Sequence, residues 1–184
     1  SIAGLLTVSI LFGCTALQQA SDTTEDVTTS LHFVDYTRQG DGNGAGDGYY
    51  HLVPRADSSN NICFVDYKSR TQVYLCNRPE CLHKDENCPS WIASDSCLIF
   101  TGGTGHNIFI LQLETYNSPY TGIWKAEPNG NNRNLLFQFQ PNQNIVNGIA
   151  ADEEYLYITV QEVDSITYQP KKLMYQIDIQ TGEA

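Results

Sequence analysis

Short runs of β-branched and aromatic residues fill the chain from Leu31 onward, and each run ends at Gly, Asn, Pro or Asp. This pattern is typical of β-strands that are joined by turns. No window shows a helical period that lasts over three turns, which argues against long amphipathic helices. The sequence also contains 11 tyrosines, a residue type that favours strands. The sequence therefore predicts an all-β fold.

The predicted strands cover most of the chain after Leu31. They are His32 to Tyr36, Tyr49 to Val53, Asn61 to Tyr67, Thr71 to Cys76, Cys97 to Thr101, Ile108 to Glu114, Thr121 to Ala126, Asn134 to Gln138, Ile145 to Ala150, Tyr155 to Val163 and Lys172 to Ile179. Asp66 and Asp178 end comparable strands, and we expect both to cap turns. The acidic run from Asp152 to Glu154 is interpreted as a solvated turn.

A weak internal repeat runs through these strands. Segments of the form strand, polar turn, strand begin at Ile62, Gly122 and Leu173, and they recur about every 50 to 60 residues. That spacing is near the period of a four-stranded propeller blade with its loops. A β-sandwich also has many short strands, but the ordered recurrence of aromatic residues, turn and glycine favours about three antiparallel blades of a β-propeller.

The blade motifs resemble those of a known family. Glu154-Tyr-Leu-Tyr-Ile158, Trp124-Lys-Ala-Glu-Pro-Asn-Gly130 and Tyr175-Gln-Ile-Asp-Ile-Gln-Thr-Gly182 resemble blades of TolB-like six-bladed propellers. Together with Val73-Tyr-Leu-Cys-Asn-Arg-Pro-Glu-Cys-Leu-His83, they are most similar to a domain of unknown function in lipoproteins of Gram-positive anaerobes. The resemblance covers roughly residues 48 to 184 and implies a surface-anchored propeller without an established activity. Because the chain has room for about three blades, we expect a truncated propeller that continues past Ala184.

The N-terminal segment has the features of an export signal. Ser1 to Gly13 carries no charge, and its apolar core, Ile2 to Phe12, is too short for a membrane span of roughly 20 residues. Its length suits the apolar region of a secretory signal peptide. Leu11-Phe12-Gly13-Cys14 resembles the lipobox of bacterial lipoproteins, which implies cleavage before Cys14 and lipidation of its thiol. The alternative is a buried strand or helix with a chance cysteine.

These features divide the chain into three parts. Residues 1–13 are predicted to be a signal peptide, incomplete because Met and a basic region are missing. Residues 14–30 are predicted to hold the lipidated Cys14 and a flexible acidic tether. Residues 31–184 are predicted to form the propeller fragment. This organisation predicts a protein that is lipid-anchored at the extracytoplasmic face of the cell membrane.

The net charge of −11 restricts the partners of the chain. The 10 Lys and Arg residues are scattered, so no basic stripe is available to neutralise phosphates. We therefore expect no nucleic-acid partner. The expected partners are membrane lipid, through the acylated Cys14, and an unidentified protein, peptide or glycan.

Four residues within a short stretch could bind a metal ion. Cys76, Cys81, His83 and Cys88 match the ligand set of a Cys3His zinc site, although the spacing is not that of a standard zinc finger. Exported proteins more often use cysteines for disulfides, and the sequence favours disulfides over structural zinc. No other cofactor is expected. Cys63 and Cys97 remain as a possible disulfide pair. With either chemistry, the four residues would staple the long connection from Asn77 to Pro89.

Aromatic residues in or near the connections could contact a ligand. Trp91, Tyr116, Tyr120 and Trp124 could stack on sugars or hold a peptide, whereas the alternative is packing between blades. The sequence contains no Gly-x-Ser-x-Gly elbow and no His-Glu-x-x-His pair, and it identifies no catalytic residue.

Three functions are compatible with these patterns. The sequence favours binding or scaffolding at the outer face of the membrane. The first alternative is an extracytoplasmic propeller enzyme, a hydrolase or lyase, with its catalytic residues in missing C-terminal blades. The second alternative is an envelope spacer without a ligand.

Overall fold

The computed structural model describes residues 31–34, 42–44, 46–103, 106–113 and 121–184. Over these ranges the chain forms strands, turns and bends but no α-helix, and hence no helix that could cross a membrane. The strands of the described residues are β1 (His32–Phe33), β2 (Gly42–Gly44), β3 (Gly48–Pro54), β4 (Asn60–Asp66), β5 (Thr71–Tyr74), β6 (Trp91–Ile92), β7 (Cys97–Gly102), β8 (Asn107–Gln112), β9 (Gly122–Ala126), β10 (Asn134–Gln138), β11 (Gln143–Ala151), β12 (Tyr155–Val163) and β13 (Pro170–Asp178).

The strands form three antiparallel sheets. Sheet I has the order β2-β3-β4-β5, with β6 also paired to β4. Sheet II has the order β10-β9-β8-β7, and sheet III has the order β1-β11-β12-β13. The prediction of an all-β fold is confirmed, while the assignment of the sheets as propeller blades stays a prediction. The predicted signal peptide and tether lie outside the described residues.

Sheet II is buried on both of its faces. Strands β7 and β8 carry consecutive buried residues, Cys97 to Phe100 in β7 and Ile108 to Leu111 in β8. Because successive side chains of a strand point to opposite faces, each run supplies two cores. Phe100 and Phe109 stack with ring centroids 5.1 Å apart in the core shared with sheet III. Ile99 and Ile110 lie in the core shared with sheet I.

The flanking sheets bury mainly one face against sheet II. In β12 of sheet III, buried Leu156, Ile158 and Val160 alternate with partly exposed residues. In β3 of sheet I, Tyr50 and Leu52 are buried and their neighbours are partly exposed. This alternation is typical of a sheet with one face toward a core. The three sheets are therefore held together by two hydrophobic cores, one on each side of sheet II.

Aspartates cap a recurring hairpin turn. The carboxylate of Asp178 accepts hydrogen bonds from the backbone N–H groups of Gln180, at 2.7 Å, and Thr181, at 2.8 Å. Asp164 accepts the equivalent bonds from the backbone N–H groups of Ile166 and Thr167. Asp66 accepts a bond from the backbone N–H of Ser69. These donors lower the pKa of all three carboxyl groups. The predicted capping roles of Asp66 and Asp178 are thus confirmed.

The same turns end in a residue with left-handed backbone conformation. Arg70, Tyr168 and Gly182 have φ angles of 57°, 56° and 75°. In each turn this residue donates its backbone N–H to the carbonyl of the capping aspartate, at 2.9 Å. Only at Gly182 is the residue a glycine, which adopts this conformation without steric cost. The repeat segments that begin at Ile62 and Leu173 therefore share a turn geometry, whereas the segment that begins at Gly122 has a different turn, in which the Gly130 N–H donates to the Glu127 carbonyl at 2.8 Å.

The acidic run at the β11–β12 turn is only partly solvated, which corrects the sequence interpretation. Asp152 is buried, and its Oδ1 accepts bonds from the backbone N–H groups of Glu154 and Tyr155. Its Oδ2 accepts a bond from the Tyr157 hydroxyl at 2.8 Å. Glu153 and Glu154 are exposed, as expected. The capping role of Asp152 could not be predicted from the acidic run, because the sequence does not show which of its carboxylates is buried.

Replacement of Gly182 by alanine should destabilise the domain. A Cβ at this position would overlap the Leu136 carbonyl oxygen, and the left-handed conformation alone costs a non-glycine residue about 1–3 kcal/mol. Gly102→Ala is the matched control, since its Cβ would make only ordinary contacts with Phe109 and Ala151. Urea unfolding of both variants tests this prediction, and equal midpoints would contradict it.

Acid should weaken the hairpin turns. The folded-state pKa values of Asp66, Asp164 and Asp178 lie below their ordinary value, so their stabilisation is present above about pH 4 and is lost as the pH falls through the folded-state values. We expect urea midpoints that fall between pH 5 and pH 3. The combined D66N, D164N and D178N variant should show a smaller fall, and an unchanged fall would argue against this role.

Candidate metal centre between β5 and β6

The cysteine-rich loop leaves and returns along one edge of β4. β5 pairs with residues 63–66 of β4, and β6 pairs with Asn60 and Asn61 further along the same edge. Between them, the Leu75 N–H donates to the Ile62 carbonyl at 3.0 Å, and the Ile62 N–H donates to the Ser90 carbonyl at 2.8 Å. The segment 76–89 is therefore an excursion between two nearly adjacent points along one side of β4.

The four predicted ligands meet in this excursion. The ligand atoms of Cys76, Cys81, His83 and Cys88 all lie within 4.8 Å of one another. Within the group, His83 Nδ1 and Cys88 Sγ lie 3.3 Å apart. Tetrahedral zinc, with bonds of about 2.0–2.3 Å, separates its ligand atoms by roughly 3.5–3.8 Å. The group can therefore hold a metal ion after small side-chain adjustments.

Tight turns bring the ligands together. The Cys81 N–H donates to the Arg78 carbonyl at 3.1 Å, and the Cys88 N–H donates to the Asp85 carbonyl at 3.0 Å. His83 has a positive φ of 54°, a left-handed conformation that is uncommon for a non-glycine residue. Its ring stacks on Tyr74 with centroids 4.3 Å apart. The ligand set is thus held by backbone turns and by a ring from β5.

The pKa values of two thiols of this group are shifted in opposite directions. The backbone N–H of His83 is the main cause that lowers the pKa of Cys81, with help from the neighbouring thiols and Arg78. Burial raises the pKa of Cys88 to about 12, so this thiol is neutral unless a cation is present. A coordinated metal reverses that preference because its charge stabilises a thiolate. Metal binding at this site would therefore release protons.

Arg133 lies beside the metal-ligand group. Its guanidinium donates to the carbonyl of Trp91 at 2.6 Å and to the carbonyl of Pro89, the residue after Cys88. Burial lowers the pKa of Arg133, while the nearby sulfurs of Cys88 and Cys97 favour its charged form. The buried Nε of Arg133 has no hydrogen-bond partner among the described residues. A positive charge thus sits close to the buried end of the thiol cluster.

The predicted pair of Cys63 and Cys97 is not formed, and the described cysteines contain no disulfide. Cys97 lies in the core between sheets I and II, where the Asn60 amide contacts its sulfur at 3.6 Å. Cys63 follows Ile62, which faces that same core, so strand alternation points Cys63 to the opposite face of sheet I. Burial raises the pKa of both thiols to about 11. The two sulfurs are separated by the sheet itself.

Two of the four predicted ligand-contact aromatics, Trp91 and Trp124, lie among the described residues, and both belong to strands. Trp124 packs against the core between sheets I and II, which fits the alternative of packing. Trp91 lies in β6, and its buried Nε1 has no partner among the described residues. Tyr116 and Tyr120, like Cys14, lie outside the described residues.

A cleft between sheets I and II was not foreseen from the sequence. It has a volume of about 720 Å³ and lies next to the metal-ligand group. Its lining includes Tyr50, Phe64, Val73 and Leu75 from sheet I, and Asn129 from the β9–β10 turn. These residues come from distant parts of the chain, so no local motif marks them. Comparison with protein-family models, with curated proteins and with solved structures finds no match to this chain.

Proposed function

We propose that this chain is part of a lipid-anchored, extracytoplasmic binding protein with a zinc-stapled β-propeller. The cleft between sheets I and II carries the proposal, since small-molecule sites are concave, largely apolar and lined by a few polar groups. The lipobox-like sequence ending at Cys14 and the acidic segment 15–30 support an anchor and a tether.

The sheet arrangement supports the propeller part of the proposal. Three antiparallel sheets, each with at least four strands, follow one another along most of the chain. Sheet II packs face to face with both neighbours, which is how blades stack around a propeller. The turns capped by Asp66 and Asp178 recur at related positions in sheets I and III.

The zinc in this proposal is structural. Four protein ligands complete a tetrahedral shell and leave no open position for a substrate. Three thiolates and one neutral imidazole would give a divalent ion a net charge of −1. Arg133 supplies a compensating positive charge next to Cys88. The metal would close the excursion 76–89 at the edge of β4 and so stabilise sheet I.

Zinc content tests the staple. The purified full chain should contain one zinc ion, and Cys76→Ala should lose it with a fall in thermal midpoint. Cys97→Ala is the matched control, because Cys97 is buried outside the ligand group and should leave the zinc content unchanged. Native mass spectrometry under reducing and non-reducing conditions provides the measurement. A mass reduced by two hydrogens per bridge, without bound zinc, would refute the proposal.

The anchor is tested on the native precursor. We expect the mature protein from membrane fractions to begin at an acylated Cys14, and Cys14→Ala to release the protein from the membrane. Two or more acyl chains are needed for stable anchoring, since a single chain gives only marginal binding. Intact mass and fractionation supply the measurement. A mature protein that retains residues 1–13 without acyl groups would argue against the anchor.

A further inference from the structure

One wall of the cleft is apolar and comes from sheet I. Phe64 and Val73 lie opposite each other in the β4–β5 register and therefore share a face, with Leu75 further along the chain. Val73 is 53% exposed, so this wall is open to solvent. The buried Tyr50 spans the gap between the sheets, and its hydroxyl donates to the Pro128 carbonyl at 3.1 Å.

The opposite wall is polar and comes from the turns of sheet II. It includes Asn129 and Asn131 of the β9–β10 turn, and His106 of the β7–β8 turn. The Asn129 side chain accepts a bond from the Asn131 N–H at 2.8 Å, which fixes this turn. Gly130 brings the turn close to sheet I, since a Cβ there would lie 2.8 Å from Leu75. The two walls are therefore held in a defined relation.

The charges of the cleft restrict its ligand. No described residue of the lining is Lys or Arg, and Asp47 adds a negative charge. The chain as a whole has a net charge of −11, which also disfavours anions. A purely apolar ligand would remove water from the amides of Asn129 and Asn131 and would offer no hydrogen bonds in its place, which costs free energy. The lining favours a neutral ligand with one apolar face and several hydroxyl or amide groups.

We propose that this cleft binds a neutral sugar, with the ring against Phe64 and Val73 and the hydroxyl groups toward Asn129 and Asn131. The inference rests on the proposed function as a binding protein and names its ligand class. Aromatic side chains offer an apolar surface that matches the C–H face of a sugar ring, while carboxamides both donate and accept hydrogen bonds. The sugar could be a free oligosaccharide or part of a wall polysaccharide.

Calorimetric titration of the full chain tests this proposal. The ligands are maltotriose and tri-N-acetylchitotriose, with trigalacturonate as an anionic comparator and sedimentation with purified peptidoglycan as the polymer assay. We expect at least one neutral ligand to bind and trigalacturonate not to bind. Val73→Asp should weaken neutral-sugar binding at least tenfold because it places a charge on the apolar wall. Binding only in the sedimentation assay would identify the polymer as the source of the sugar.

A matched variant separates the cleft from general effects. Val146 is a partly exposed strand residue in β11 of sheet III, outside the cleft lining, and Val146→Asp should leave sugar binding unchanged. Thermal midpoints confirm that both variants fold. If neither a neutral trisaccharide nor peptidoglycan binds the folded wild-type chain, or if Val73→Asp binds them as wild type does, the sugar site is wrong. The anchor and zinc tests would still stand in that case, so failure here is distinct from failure of the proposed function.

Discussion

The burial of sheet II on both faces is the constraint on which the rest of the structure depends. Consecutive apolar residues in β7 and β8 cannot face solvent on either side without exposing large hydrophobic areas. Sheets I and III cover these faces, and the two cores follow from that arrangement. The turns of sheet II then reach sheet I at Gly130, where the absence of a side chain permits close approach. The cleft is the space left where these two sheets diverge.

The same two-residue period determines what the cysteines can do. Alternation along β4 sends Ile62 into the core and Cys63 to the outer face, so a bridge to Cys97 would have to cross a sheet. Cys76, Cys81 and Cys88 are not restricted in this way, because they lie in a loop, where turns rather than strand alternation determine the directions of the side chains. A cross-link within such a loop stabilises by limiting the conformations of the unfolded chain. Arg133 extends this link by holding the return of the loop near β10.

Much of the fold was predictable because apolar runs and turn residues mark strands directly. The predicted strands agree with most of the described ones, but β2 and β6 were missed because they are very short. The spacing of Cys76, Cys81, His83 and Cys88 identified the candidate ligands, since nearby residues in a tight loop must lie close together. The pairing of Cys63 with Cys97 failed because a count of cysteines ignores which face of a strand each one occupies. The cleft could not be predicted from the sequence either, because only the packing of the sheets brings Phe64 and Asn129 together.

The candidate metal centre and the cleft share one short strand. Tyr74 stacks on His83, and it lines the cleft together with its neighbours Val73 and Leu75. β5 is an edge strand, held by β4 on one side only, so little besides this pairing fixes its position. The contact of Tyr74 with His83 therefore also limits the movement of Val73 and Leu75. A staple that orders His83 and Cys76 would thus order the apolar wall of the cleft, since Cys76 itself belongs to the cleft lining.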